Sequence, residues 1–172
     1  LSTPTLDAST SGWAGQAGWT VSRETTTYHS PPASLKALAT GSPGANTGPF
    51  YTLAGKAKPG TRYYGSVWAY SATAGLVVSM SIQSSVGAAL KTIGSVTLAA
   101  NTWTKVEGIG TFGTGQSGDL YLAITSAATS TNDYIIFDDL LFVEMTASID
   151  DYNFRRLFHK NSSFTGDPAA DS

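Results

Sequence analysis

The 172 residues contain no cysteine, which excludes disulfides, thiolate metal sites and cysteine nucleophiles together. Charge is scarce as well. Only 13% of residues are charged, against about 25% in ordinary domains, so the polar surface has to come from Ser, Thr, Gly and Asn. Neither sign dominates: the formal net charge of -2 leaves no basic footprint for nucleic acid. No run of 18 apolar residues is present, so no membrane span is expected. G-x-S-x-G, H-E-x-x-H and Gly-Lys-Ser motifs are missing, and the two histidines, His29 and His159, lie far apart. That points away from an enzyme. No segment before residue 148 keeps a helical period over 11 residues, and no internal repeat occurs.

What is present is a series of short alternating segments. Hydrophobic residues make up 41% of the chain, enough for one sizeable core. Strands are predicted at Trp19–Thr25, Ser34–Ala39, Phe50–Leu53, Arg62–Ser71, Leu76–Gln83, Ser95–Ala99, Thr104–Phe112, Asp119–Thr125 and Tyr134–Val143. Gly, Pro, Asn and Ser clusters separate them. Such a pattern predicts an all-β fold, an antiparallel β-sandwich or jelly roll. The strongest segment is DYIIFDDLLFVEM. In it Ile135, Phe137, Leu141 and Val143 recur with period two and are expected on one face. Asp138 and Asp139 interrupt the run, so either the pair ends near an edge in water, or a cation or hydrogen-bond donors meet it. The sandwich is expected to occupy residues 1–146. Residues 147–172, with NFRRLFHK and a polar end, read as a linker or the start of a following segment of a longer polypeptide.

Six motifs in order resemble one family. TPTLD at Thr3–Asp7 and SGWAG at Ser11–Gly15 are similar to the N-P-x-F-E and Gly-Trp opening of calcium-containing, jelly-roll carbohydrate-binding modules, the kind found beside xylanases and cellulases. HSPPASLKALATG at His29–Gly41, YYGSVWAYS at Tyr63–Ser71, NTWTKVEGIGTF at Asn101–Phe112 and YIIFDDLLF at Tyr134–Phe142 resemble their later strands. The sequence departs at Thr3 for Asn, Leu6 for Phe, Asp7 for Glu and Pro31–Pro32 for Ser-Gly. Modules of this kind also occur in phage tail and virion proteins, and FTGDPAADS is faintly similar to a segment that follows them there.

The resemblance implies a structural calcium ion that clips the N-terminal segment to the last strand. Asp138 and Asp7 would be ligands, with the carbonyls of Thr3 and of the Ser30–Pro32 loop filling in and Asp139 and Glu24 as lesser candidates; the alternative is that Asp138 or Asp139 faces solvent or accepts backbone N–H bonds. It also implies a non-catalytic module that holds a polysaccharide or cell-surface glycan on aromatic faces. Alternation places Tyr64, Ser66, Trp68 and Tyr70 outward and Tyr63, Gly65, Val67 and Ala69 inward. Gln83 and Tyr121 are outward in their own strands. If these strands share a sheet, Trp68, Tyr70, Gln83 and Tyr121 line one binding surface, with Tyr64 on it and Trp19 at its flank; the alternative is that some of them pack under a covering loop or form a protein interface. Trp103 corresponds to a core tryptophan of the family, and Trp13 is expected to pack in the core or at an edge. Adjacent strand residues point to opposite faces, so Asp138 and Asp139 cannot act as a glycosidase pair. The expected setting is extracellular or virion: a phage tail protein, or else the targeting module of a secreted bacterial glycoside hydrolase. The rival from another class is a virion assembly domain without sugar affinity.

Overall fold

A computed structural model describes residues 10–145, except 11, 42, 54, 56, 86, 87, 114–116 and 125–129. The expected linker at 147–172 lies outside the described residues, as do Thr3 and Asp7. Strands β1 to β10 run Trp13–Gly15, Trp19–Glu24, Ser34–Ala39, Pro49–Tyr51, Arg62–Tyr70, Val77–Ser85, Ala88–Thr97, Thr104–Thr111, Asp119–Ile124 and Tyr134–Met145. They form two five-stranded antiparallel sheets. Sheet A has the order β1-β4-β9-β6-β7 and sheet B the order β2-β3-β10-β5-β8. No helix occurs among the described residues. The sandwich predicted from alternation is the fold observed.

The inward rows of the two sheets make one core. Leu35, Ala37, Tyr63, Val67, Ala69, Val106, Ile135, Phe137 and Phe142 from sheet B meet Trp13, Val78, Met80, Ile82, Leu120 and Leu122 from sheet A. Tyr63 and Phe142 stack with ring centroids 5.1 Å apart, and the Tyr63 hydroxyl accepts the Lys58 N–H at 2.9 Å. That partner is what allows a tyrosine to be wholly buried. Small residues set the distance between the sheets. A Cβ on Gly65 would run into Met80 Sδ, so the bare position leaves room for the methionine. At the edge where β7 meets β8, a Cβ on Gly108 would strike the Ile93 carbonyl, and one on Gly94 the Glu107 carbonyl. The two sheets therefore touch through backbone at that edge.

Strand β10 departs from strict alternation. Its register against β5 shifts between Asp138 and Leu141, and Asp139 sits at φ 49°, which marks a β-bulge. One extra residue reverses every side chain beyond it. Ile135 and Phe137 point into the core, and after the bulge Leu140 and Phe142 do so. Leu141 and Val143 pack outside, against Tyr64, Ile109 and Met145. The expectation that Ile135, Phe137, Leu141 and Val143 share a face is corrected accordingly. Two further differences concern extent. β1 was not predicted, and β7 begins at Ala88 rather than Ser95, because AALKTIG alternates poorly and pairs with β6 through register shifts.

Candidate ligand-binding surfaces

The bulge brings Asp138 and Asp139 to one loop. Asp138 Oδ2 accepts the backbone N–H groups of His29 at 2.7 Å and Ser30 at 2.8 Å, and Oδ1 accepts that of Asp139 at 2.8 Å. Asp139 Oδ2 lies 2.6 Å from His29 Nδ1, which donates to it, and accepts the Ser30 hydroxyl at 2.9 Å. The two carboxylates thus hold the same segment, and the expectation that they point to opposite faces does not hold. Asp138 is only 2% exposed. Burial raises its pKa above the ordinary value, more than the three N–H bonds lower it. Its Oδ2 already accepts two bonds, so a cation would find one lone pair, on Oδ1. Among the described residues no three His, Cys, Asp or Glu side chains gather as a metal site.

The outward row of β5 is as alternation predicts, but its neighbours are not the ones expected. Trp68 and Tyr70 lie on sheet B, whereas Gln83 and Tyr121 lie on sheet A. The single four-residue surface is therefore corrected to two surfaces on opposite outer faces. On sheet B the His29 ring stacks on Trp68 with centroids 4.1 Å apart and planes at 15°. Trp103 meets His29 edge-on at 5.5 Å and lies 5.4 Å from Tyr70. The Tyr70 hydroxyl donates to Asn101 Oδ1 at 3.1 Å. Trp68, Tyr70 and Trp103 are half-buried. Trp103 is consequently not the core residue expected: Thr104 opposes the inward Ala69, so the residue before it faces out.

Two other expected ligand residues pack against apolar neighbours instead. Tyr64 is covered by Met145, Ile109, Leu141 and Val143, and its hydroxyl donates to Glu107 at 2.9 Å. Burial raises its pKa above the usual tyrosine value. Trp19 lies in the core and donates its indole N–H to Thr47 Oγ1 at 3.0 Å. It is the first residue of β2 and pairs with inward Ala39, so the glycines around it do not leave it in a loop. Trp13 is in the core as expected.

On sheet A the outward residues of β6 are Ser79, Ser81 and Gln83, opposite the inward row from Val78 to Ile82. Cross-strand pairing sets Tyr121 beside Ser81 on one side and Phe50 on the other. The rings of Phe50 and Tyr121 stack at 5.2 Å and 16°. Ser79 donates to Ser95 at 2.9 Å. Gln83 Nε2 donates to Ser81 Oγ at 3.1 Å and to the Asn46 carbonyl at 3.3 Å. These groups sit low: Tyr121 is 5% exposed and Gln83 is fully covered, with the 43–48 segment alongside. Gln83 Oε1 is buried and has no hydrogen-bond partner among the described residues. Phe50 was not singled out from sequence. Its neighbour Tyr51 turns inward against Trp13, and only the β4–β9 register reveals which of the two faces out.

No protein-family model and no curated protein matches the sequence. Solved structures do match by shape. The CBM22-1 xylan-binding domain of Paenibacillus barcinonensis Xyn10C aligns with a TM-score of 0.64 and 18% identity, over 84% of this chain and 93% of that one. The fold is that of a jelly-roll carbohydrate-binding module. A family 16 carbohydrate-binding module aligns with a TM-score of 0.56 and 17% identity, over 83% of this chain and 98% of that one. The CBM22-1-GH10 modules of Clostridium thermocellum xylanase 10B, complexed with xylohexaose, give 0.64 and 16% identity over 84% of this chain. The chain spans 28% of that structure and 25% of an α-L-arabinofuranosidase bound to arabinose, with which it shares a TM-score of 0.67 and 14% identity.

Proposed function

We propose that the chain is a non-catalytic carbohydrate-binding module and that the outer face of sheet A carries a polysaccharide or cell-surface glycan. The observation that carries this is the stacked Phe50–Tyr121 pair, in which Phe50 keeps part of its surface in water. Aromatic faces bear negative charge and attract the C–H face of a pyranose. Likeness to modules described as xylan-binding supports the ligand class, and xylan is the first polysaccharide to try. The aspartates support no hydrolytic role, since both carboxylates hold the same backbone segment instead of flanking a cleft.

The setting belongs to the same proposal. Two of the similar structures are parts of Clostridium thermocellum xylanase 10B, which supports the targeting module of a secreted hydrolase over a phage tail protein. The virion setting rests on FTGDPAADS, outside the described residues. A structural calcium is also retained as a proposal, on narrower terms: Asp7 and the Thr3 carbonyl would supply it, with Asp138 giving Oδ1 alone.

The test is retention on insoluble xylan and cellulose and on a host-wall fraction, for wild type, Phe50→Ala and Tyr121→Ala. Retention of the wild type, weakened in both variants, is the expected result. No retention of the wild type on any of them rejects the reading and leaves a structural assembly domain.

A further inference from the structure

We propose that the outer face of sheet B holds a second saccharide site, built from His29, Trp68, Tyr70 and Trp103 and separate from the Phe50–Tyr121 face. The rings form one continuous cluster: His29 lies on Trp68, Trp103 touches His29, and Tyr70 touches Trp103. All keep part of their surface in water. The His29 ring lies against one face of Trp68 and is the most exposed of the four.

Two strained backbone positions adjoin this cluster. Asp139 and Asn101 are non-glycine residues at φ 49° and 56°, each in contact with one of the rings. Such conformations collect at functional sites. Asn adopts this one readily in turns, so the bulge at Asp139 is the more telling of the two. Strict alternation would send Asp139 inward after outward Asp138. The bulge turns its carboxylate out to His29, and re-aiming a side chain is what bulges do beside sites.

The polar groups left around the rings suit a neutral, hydroxyl-rich ligand. His29 Nε2, Asn101 Nδ2 and Asp139 Oδ1 have no hydrogen-bond partner among the described residues, while Asp139 Oδ2, His29 Nδ1 and Asn101 Oδ1 are engaged. The adjacent cation, Lys105, is paired with Glu107 at 3.0 Å, so nothing here clamps a phosphate or sulfate. A donor, acceptors and flat rings within one patch describe a pyranose chain. With a second ligand face across the sandwich, the module would bridge two polysaccharide strands.

The four tryptophans provide the readout. Trp68 and Trp103 lie in the proposed site, Trp13 and Trp19 lie in the core, and the Phe50–Tyr121 face has none. The full chain, labelled with 15N, is titrated with xylohexaose and with cellohexaose, and its indole N–H resonances are followed in wild type and in Tyr121→Ala. The expected result is that one of the hexaoses moves the Trp68 and Trp103 signals in both proteins and leaves those of Trp13 and Trp19 in place. Movement in wild type that disappears in Tyr121→Ala means a single site and overturns the proposal. Indoles that stay still with both hexaoses overturn it too, whatever the sheet A face does in retention assays. On the Tyr121→Ala background, Tyr70→Ala and Asn101→Ala should each weaken the remaining binding, the ring loss by about tenfold or more. Their melting curves separate that effect from unfolding.

Discussion

The backbone N–H of Ser30 donates to Asp138 Oδ2 at 2.8 Å across 108 residues of chain. With the His29 N–H at the same oxygen, a buried carboxylate on the last strand fixes the loop that carries the His29 ring over Trp68. Stability and the sheet B surface therefore share this anchor. Asp138→Ala leaves three backbone donors without an acceptor and should cost about 2–4 kcal/mol, read by chemical denaturation. Asp138→Asn keeps one acceptor oxygen and should cost less.

The same carboxylate gives a pH dependence of unusual sign. Burial raises its folded pKa above the ordinary value of 3.8, so in the window just above that value the native state holds a proton that the unfolded state has released. Stability then falls as pH rises through the window and levels off above the folded pKa. Metal-free wild type and Asp138→Asn are compared by urea denaturation between pH 3 and pH 7. The difference between them should shift towards the mutant as pH rises. A difference that shifts the other way means that the N–H bonds outweigh burial.

How far the sequence is legible can be read from β5 and β10. In β5 nothing interrupts alternation, and Tyr63, Gly65, Val67 and Ala69 face inward as predicted. In β10 the bulge at Asp139 inverts Leu141 and Val143, and no spacing rule reveals that, because the bulge arises from what the 29–30 loop offers the two aspartates. The candidate site failed at the next level. Which face a residue takes is local, but which strand lies beside it depends on topology, and the crossing of β5 and β6 into different sheets separated Trp68 from Tyr121. Phe50 and Trp103 were missed for the same reason, since each is oriented by a partner strand far away in the chain.

Close backbone approach at the β7–β8 edge makes an ordered prediction about glycines. Gly108→Ala drives a methyl group into the Ile93 carbonyl, which belongs to a strand and cannot turn aside. Gly65→Ala meets the end of the Met80 side chain, which can change rotamer. The first should lose about 2–3 kcal/mol and the second about 1 kcal/mol. Thermal unfolding of both variants tests the order, and a larger loss for Gly65→Ala would refute the account of how the sheets close.

Gln83 separates binding from folding. Its Nε2 is bonded, but its Oε1 is buried without a partner, which weakens the net contribution of the amide to stability. Gln83→Met removes both atoms at similar volume and should change stability by less than about 1 kcal/mol. Retention on the polysaccharide bound by wild type should nevertheless fall, because the lost Nε2 bond to the Asn46 carbonyl loosens the 43–48 segment beside the Phe50–Tyr121 pair. Unchanged retention would show that this bond does not shape the binding face.

Calcium is tested by the N-terminal ligands, because Asp138 has only Oδ1 to give. A site of that kind binds the folded state alone, and at a concentration of about 100 times its dissociation constant an ion adds about 2.7 kcal/mol. EDTA should therefore lower the melting temperature of wild type, and elemental analysis should find calcium near one equivalent. Asp7→Ala should abolish both effects while leaving the Asp138 bonds to His29 and Ser30 intact. If EDTA leaves the wild-type melting temperature unchanged and no metal is found, the last strand is held by N–H donors alone, and the aspartate pair is a hydrogen-bonded clasp.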